Sequence, residues 1–174
     1  MRPDGSETID LDALGLRGGE AEAFALTLRP TAPVVGGERL EPDERRHEAR
    51  VDVSRTTSGY ALRLRLRTTL RGACSACLGP GRWEVAVDAR EVEQAAAGDP
   101  ELLSPYVADG VLDVGAWVRD TITLALPERL LCRPDCLGLC PECGIDLNAV
   151  DPPGSHAHER PPDPRFAKLR ELGE

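Results

Sequence analysis

Hydrophobic and polar residues alternate most regularly in the middle of the chain. Ala49, Val51 and Val53 are separated by polar residues, and after Ser58-Gly59 the alternation resumes with Leu62, Leu64 and Leu66 interleaved with Arg63, Arg65 and Arg67. A period of two puts successive side chains on opposite faces of an extended backbone, so these runs predict two strands joined by a Ser-Gly turn. A third run places Trp83, Val85, Val87 and Ala89 on one face and Glu84, Asp88 and Arg90 on the other, after a Gly79-Pro80-Gly81 turn. Three such strands in succession predict an antiparallel meander. A looser alternation at Phe24, Leu26 and Leu28, ahead of Pro30, predicts an edge strand, and Leu11, Leu14 and Leu16 precede it. Residues Gln94 to Gly110 show no period and predict a loop without chemistry.

The period then changes to that of a helix. Asp113 is a suitable N-cap, Val114, Trp117, Val118, Ile122 and Ala125 fall on one stripe, and Pro127 marks the end. That stripe is expected to pack on the meander. A short closing helix is predicted after Asp163, with Pro164 in its first turn and Phe166, Leu169 and Leu172 on one side. About ten residues cannot hold a helix unaided, so it needs a surface of its own domain or of a partner. The fold class is α+β: an antiparallel β-meander or partly closed sheet, with a packed helix and a metal-binding C-terminal extension. Residues 1–40 form an N-terminal segment packed on the sheet, 41–131 the core domain, and 132–174 the extension.

Composition adjusts this picture in two places. Hydrophobic residues make up 41% of the 174 and aromatics only 3%, so the core must be built from Leu, Val and Ala. The net charge of -9 is opposite to the footprint of a protein that grips bare nucleic acid by neutralising phosphates, so any RNA contact is local or mediated by protein. Arg63, Arg65 and Arg67 share one strand face and can meet phosphates. Glu48, Asp52, Glu84 and Asp88 face the same side, however, and cross-strand ion pairing accounts for the stripe without RNA. No run of about 18 apolar residues exists and Met1 to Glu20 is acidic and broken by glycine, so a cytoplasmic protein without a membrane span is expected.

In a reducing compartment six cysteines are better read as metal ligands than as disulfides. Cys74-Ser-Ala-Cys77 is a two-residue knuckle, and Cys132 and Cys136, placed after the helix, are able to complete its coordination. Cys140-Pro-Glu-Cys143-Gly144 is a second knuckle, with His156 and His158 a short loop downstream. Eight donors thus divide by order and count into two sites of four. A competing arrangement places one ion on Cys132, Cys136, Cys140 and Cys143 and leaves Cys74 and Cys77 as thiols and the histidines solvated. Thiolate and imidazole at these spacings favour Zn²⁺ over an iron-sulfur cluster, and full coordination spheres imply a structural ion without an open position for catalysis. A redox role for Cys74-Ser-Ala-Cys77 is the one catalytic alternative, although such pairs usually open a helix in a βαβ setting. No nucleophile constellation or phosphate loop is present, so a non-enzymatic protein without a small-molecule substrate is expected.

The order of these features resembles the YceD family of large ribosomal RNA subunit accumulation proteins. The resemblance is carried by Cys74-Ser-Ala-Cys77-Leu78, the Leu126-Pro127 end of the helix, the run from Leu131-Cys132 through Cys136, Gly138, Cys140-Pro141 and Cys143-Gly144, then Leu147-Asn148, and the terminal Asp163-Pro164-Arg165. In many relatives a Cys-x-Cys pair stands where this chain has His156-Ala-His158. The resemblance implies a bacterial or plastid factor in accumulation of large-subunit (23S) ribosomal RNA, partnered with the large-subunit precursor through its RNA or one of its proteins. A reading from another class is a zinc-dependent regulatory or chaperone-like module that binds a protein unrelated to ribosomes.

Overall fold

The computed structural model describes residues 7–29, 31–94, 99–153 and 155–158. Its elements run β1 (Thr8–Asp10), β2 (Ala21–Leu28), β3 (Val34–Val35), β4 (Glu38–Arg39), β5 (Glu41–Pro42), β6 (His47–Arg55), β7 (Tyr60–Ala73), β8 (Pro80–Glu93), β9 (Val107–Ala108), β10 (Val111–Asp113) and α1 (Val114–Leu124).

The alternating runs become β6, β7 and β8, a meander in which every neighbouring pair is antiparallel. Register follows the pattern: Val51 faces Leu64, and Leu64 faces Ala89, which sets one apolar face against the core and the arginine stripe on the other side. At the β6–β7 turn Gly59 is required by space, because a Cβ there would sit 1.7 Å from the Glu93 carbonyl oxygen. β2 pairs with β6 over its whole length, so the predicted edge strand is hydrogen-bonded into the sheet rather than laid on it. β5 pairs with β7 beyond the point where β6 departs. The sheet is open, with β2 and β5 along one edge and β8 at the other among the described residues; the partial closure expected from the sequence does not form.

The core is one cluster of Leu and Val from the inner sheet face together with Val114, Trp117, Val118 and Ile122 of α1. Asp113 caps the helix through a hydrogen bond from the Ala116 N–H at 2.8 Å. Ala125, predicted on the buried stripe, is instead the exposed C-cap: α1 ends at Leu124, and the last turn closes on the Thr121 and Thr123 carbonyls. The region predicted as a plain loop contains a short 3-10 turn at Pro100–Leu102 and β9, which joins β10 and β1 in a small second sheet. Its Tyr106 stacks on Trp117 at 6.0 Å between ring centres. Two-residue strands are too short to leave a period. The β3–β4 hairpin, turned by Gly36 and Gly37 at positive φ, also escaped the pattern for that reason. The closing helix predicted after Asp163 lies outside the described residues.

Candidate metal centre

The first knuckle grows directly from the end of β7. The Cys74 N–H donates to the Gly79 carbonyl at 2.8 Å and the Leu78 N–H to the Cys74 carbonyl at 3.0 Å, with Leu78 in the left-handed region (φ 60°). This tight turn brings both sulfurs to one side. The chain leaving α1 is then fastened across it at two points: the Leu130 carbonyl accepts from the Ser75 N–H (2.8 Å), and the Leu131 carbonyl from the Trp83 indole (2.9 Å). These bonds deliver Cys132 and Cys136 to the knuckle. Gly138 lets the chain pass close behind it, since its φ is 77° and a Cβ would lie 2.9 Å from the Ala76 carbonyl oxygen.

The Sγ atoms of Cys74, Cys77, Cys132 and Cys136 all lie within 4.8 Å of one another. Cys74 is 3.8 Å from Cys136, and Cys77 is 3.7 Å from Cys132. A tetrahedral ion with metal–sulfur bonds of about 2.3 Å spaces its sulfurs about 3.8 Å apart, so this group fits such an ion. Cys74 is fully buried and Cys132 exposed, which puts the cluster at the rim of the core.

The second knuckle folds the same way. The Cys140 N–H donates to the Ile145 carbonyl and the Gly144 N–H to the Cys140 carbonyl, both at 2.8 Å, with Gly144 at φ 74°. Nε2 of His158 lies 3.2 Å from the Cys140 sulfur, Nε2 of His156 lies 3.2 Å from the Cys143 sulfur, and the two nitrogens are 2.8 Å apart. These four donors also fall within 4.8 Å of one another; the S–N and N–N spacings are tighter, by up to about half an ångström, than the roughly 3.3–3.6 Å that a tetrahedral S₂N₂ site gives those pairs. Glu142 stands 3.5 Å from Nδ1 of His158, the ring nitrogen turned away from the cluster, where a carboxylate orients a ligating imidazole. Cys140 and Cys143 therefore sit with the histidines, and not with Cys132 and Cys136.

Each cluster contains a thiol held far below the ordinary cysteine range. For Cys74 burial is the largest single influence and raises the pKa, but the N–H groups of Cys77, Ala76 and Cys132 aimed at the sulfur together outweigh it and bring it to about 6. For Cys140 the N–H groups of Cys143 and Glu142 dominate, and the pKa is again about 6. Cys132 moves the other way, to about 12, through loss of solvation and the crowd of neighbouring sulfurs. A thiolate is the metal-binding form, so each group starts with one ligand ready and must shed protons from the others as an ion enters.

Two side chains at this centre carried no metal signal in the sequence. Trp83 reads there only as an apolar strand residue, yet its N–H fastens the Cys132 segment. Asn148 sits between the clusters; it is among the residues that carry the family resemblance, but nothing in its spacing assigns it a task at the metal. On the opposite face of the sheet two members of the arginine stripe are paired, Arg63 with Asp88 and Arg65 with Asp52, which also holds Arg50; Asp43 pairs with Arg71 and Arg82.

Comparison with known families places residues 62–173 within the family described as large ribosomal RNA subunit accumulation protein YceD, more than half of the chain. The chain belongs to the YceD family. The matched part of this YceD protein begins inside β7 and takes in β8, α1 and all eight clustered donors, whereas β1 to β6 precede it. An uncharacterized protein of Mycobacterium tuberculosis is 40% identical over 106 residues, covering 58% of this chain and 49% of the relative. An uncharacterized protein of Mycobacterium leprae is 43% identical over 67 residues, 38% of this chain and 29% of the relative. The large ribosomal RNA subunit accumulation protein YCED homolog 1, chloroplastic, of Zea mays is 40% identical over 43 residues, 25% of this chain and 15% of the relative. The chain spans about half the length of the first of these. No solved structure matches it.

Proposed function

We propose that this YceD protein is a non-catalytic, cytoplasmic factor in large ribosomal subunit biogenesis that binds two Zn²⁺ ions and acts on the large-subunit precursor through its RNA or one of its proteins. The reading rests on eight soft or borderline donors gathered into two groups of tetrahedral size, in a family named for accumulation of large-subunit ribosomal RNA. Zinc suits the donor set of four thiolates at one site and two thiolates with two imidazoles at the other. Four protein ligands would fill each coordination sphere, so the metal's contribution is structural. Cys74 and Cys77 would be tied to Cys132 and Cys136, stapling the end of the meander to the chain beyond α1. Among the described residues no helix is long and apolar enough to cross a membrane, which is consistent with the proposed location.

The test is elemental analysis of protein purified without chelator, alongside sedimentation of a tagged copy in cell lysate. Two zincs per chain, falling to one in His156→Ala/His158→Ala, together with co-migration with large-subunit precursors, is the expected result. Zinc binding with no precursor association would transfer the protein to the regulatory or chaperone class. Absence of zinc would remove the structural role and bring back the redox reading of Cys74 and Cys77.

A further inference from the structure

Asn148 lies five positions beyond Cys143, and by sequence it belongs to the second cluster. Its side chain points elsewhere. The carboxamide oxygen accepts the Leu137 N–H at 2.9 Å and the Arg133 guanidinium at 2.8 Å, while the nitrogen donates to Asp146 Oδ1 at 2.7 Å and approaches the Cys136 sulfur at 3.7 Å. An asparagine amide offers two acceptor sites and two donors, and all four are used. The orientation is set by chemistry: a backbone N–H only donates, so the atom facing Leu137 must be oxygen, and the nitrogen is left for the carboxylate and the sulfur.

From this arrangement we infer that Asn148 is a positioning residue for the first cluster, carried into place by the loop that closes the second. The inference rests on the metal reading above. Donation of an amide N–H to a thiolate disperses part of the sulfur's charge and fixes its direction, which is the task of groups just outside a metal's ligand shell. Leu137 and Arg133, the oxygen's two partners, flank Cys136 on either side, so the same amide holds both the sulfur and the backbone that carries it. The Asn148 backbone N–H in turn donates to Asp146 Oδ1 at 2.9 Å. Asp146 is registered by a bridge to Leu139 and by the Ile145–Cys140 hydrogen bond of the second knuckle. The two clusters are thus joined by a short polar path from the Cys140 turn to the Cys136 sulfur.

The test is a Co²⁺ titration of the stripped, reduced full-length chain, in which thiolate-to-cobalt charge transfer distinguishes an S₄ from an S₂N₂ site. Wild type, Asn148→Ala and the near-isosteric Asn148→Asp are compared, with far-UV circular dichroism confirming that the sheet is retained. Aspartate keeps an acceptor for the Leu137 N–H but removes the donor to sulfur. The expected result is a loss of about 10–100-fold in affinity at the four-thiolate site in both variants, with the cysteine–histidine site unchanged. Wild-type affinity in Asn148→Asp would overturn the inference by reducing Asn148 to a loop-holding acceptor. Equal weakening at both sites would overturn it as a general loosening. Failure of the wild type to bind metal at all would instead strike the metal reading itself, so the two failures are distinguishable.

Discussion

Replacing Trp83 by Phe removes one bond between the sheet and the metal-binding chain, together with some ring packing that does not depend on the metal. Trp83 is only 8% exposed, and its indole N–H reaches the Leu131 carbonyl at 2.9 Å, one residue before Cys132. Phenylalanine keeps an aromatic ring on the core face and removes the donor. A hydrogen bond contributes about 0.5–1.5 kcal/mol net, and a partner left unsatisfied in the interior costs about 1–3 kcal/mol. Leu131 is half-buried, so water partly replaces the lost donor, and in the metal-loaded protein the missing bond should contribute about 1–1.5 kcal/mol of destabilisation, on top of a packing loss common to the loaded and stripped forms. In stripped protein the 131–136 run loses its sulfur anchors, so the bond constrains less and its loss should cost less than half as much. A difference of about 1 kcal/mol between the two forms corresponds to roughly a fivefold fall in metal affinity. Urea unfolding of loaded and stripped protein under reducing conditions, followed by far-UV circular dichroism, measures both costs, and competition with a chromophoric chelator measures the affinity. Equal destabilisation in both forms with unchanged affinity would refute the reasoning, because the bond would then serve the core and not ligand placement.

Three further outcomes are expected. His47 is buried, its Nε2 accepts the Thr31 N–H at 3.0 Å, and burial holds its pKa below the ordinary value despite the opposing pull of Glu44. The unfolded chain takes up this proton near pH 6.5 and the folded one does not, so stability should be fully present above that pH. It should fall as pH drops through 6.5, by up to about 1.4 kcal/mol per pH unit; His47→Gln, which can still accept from Thr31, should flatten that part of the pH–stability curve. Gly59→Ala forces a Cβ against the Glu93 carbonyl and should destabilise by at least about 1–3 kcal/mol, measured by thermal or urea unfolding. Asp52→Asn removes the shared partner of Arg50 and Arg65, both substantially exposed, so the cost should be no more than about 1 kcal/mol and should vanish in high salt.

The strands of the meander, the helix and its cap were legible in the sequence because each depends on a local period or on one side chain next to its own backbone. Val51, Leu64 and Val85 announce a buried face by spacing alone, and Asp113 announces a helix start by its reach to nearby N–H groups. Order along the chain also suggested the two groups of four donors, since paired cysteines mark tight turns that are themselves local. Short elements were less visible: β9 and the β3–β4 hairpin are two residues per strand and owe their existence to neighbours. The openness of the sheet, the Trp83 bond to Leu131 and the place of Asn148 between the clusters were decided only by the tertiary structure. Each of these joins segments far apart in the chain, or turns on which way a side chain faces once the chain has folded. A linear pattern records which residues can form an element, whereas the contacts between elements arise only when burial and backbone hydrogen bonding have fixed their relative positions.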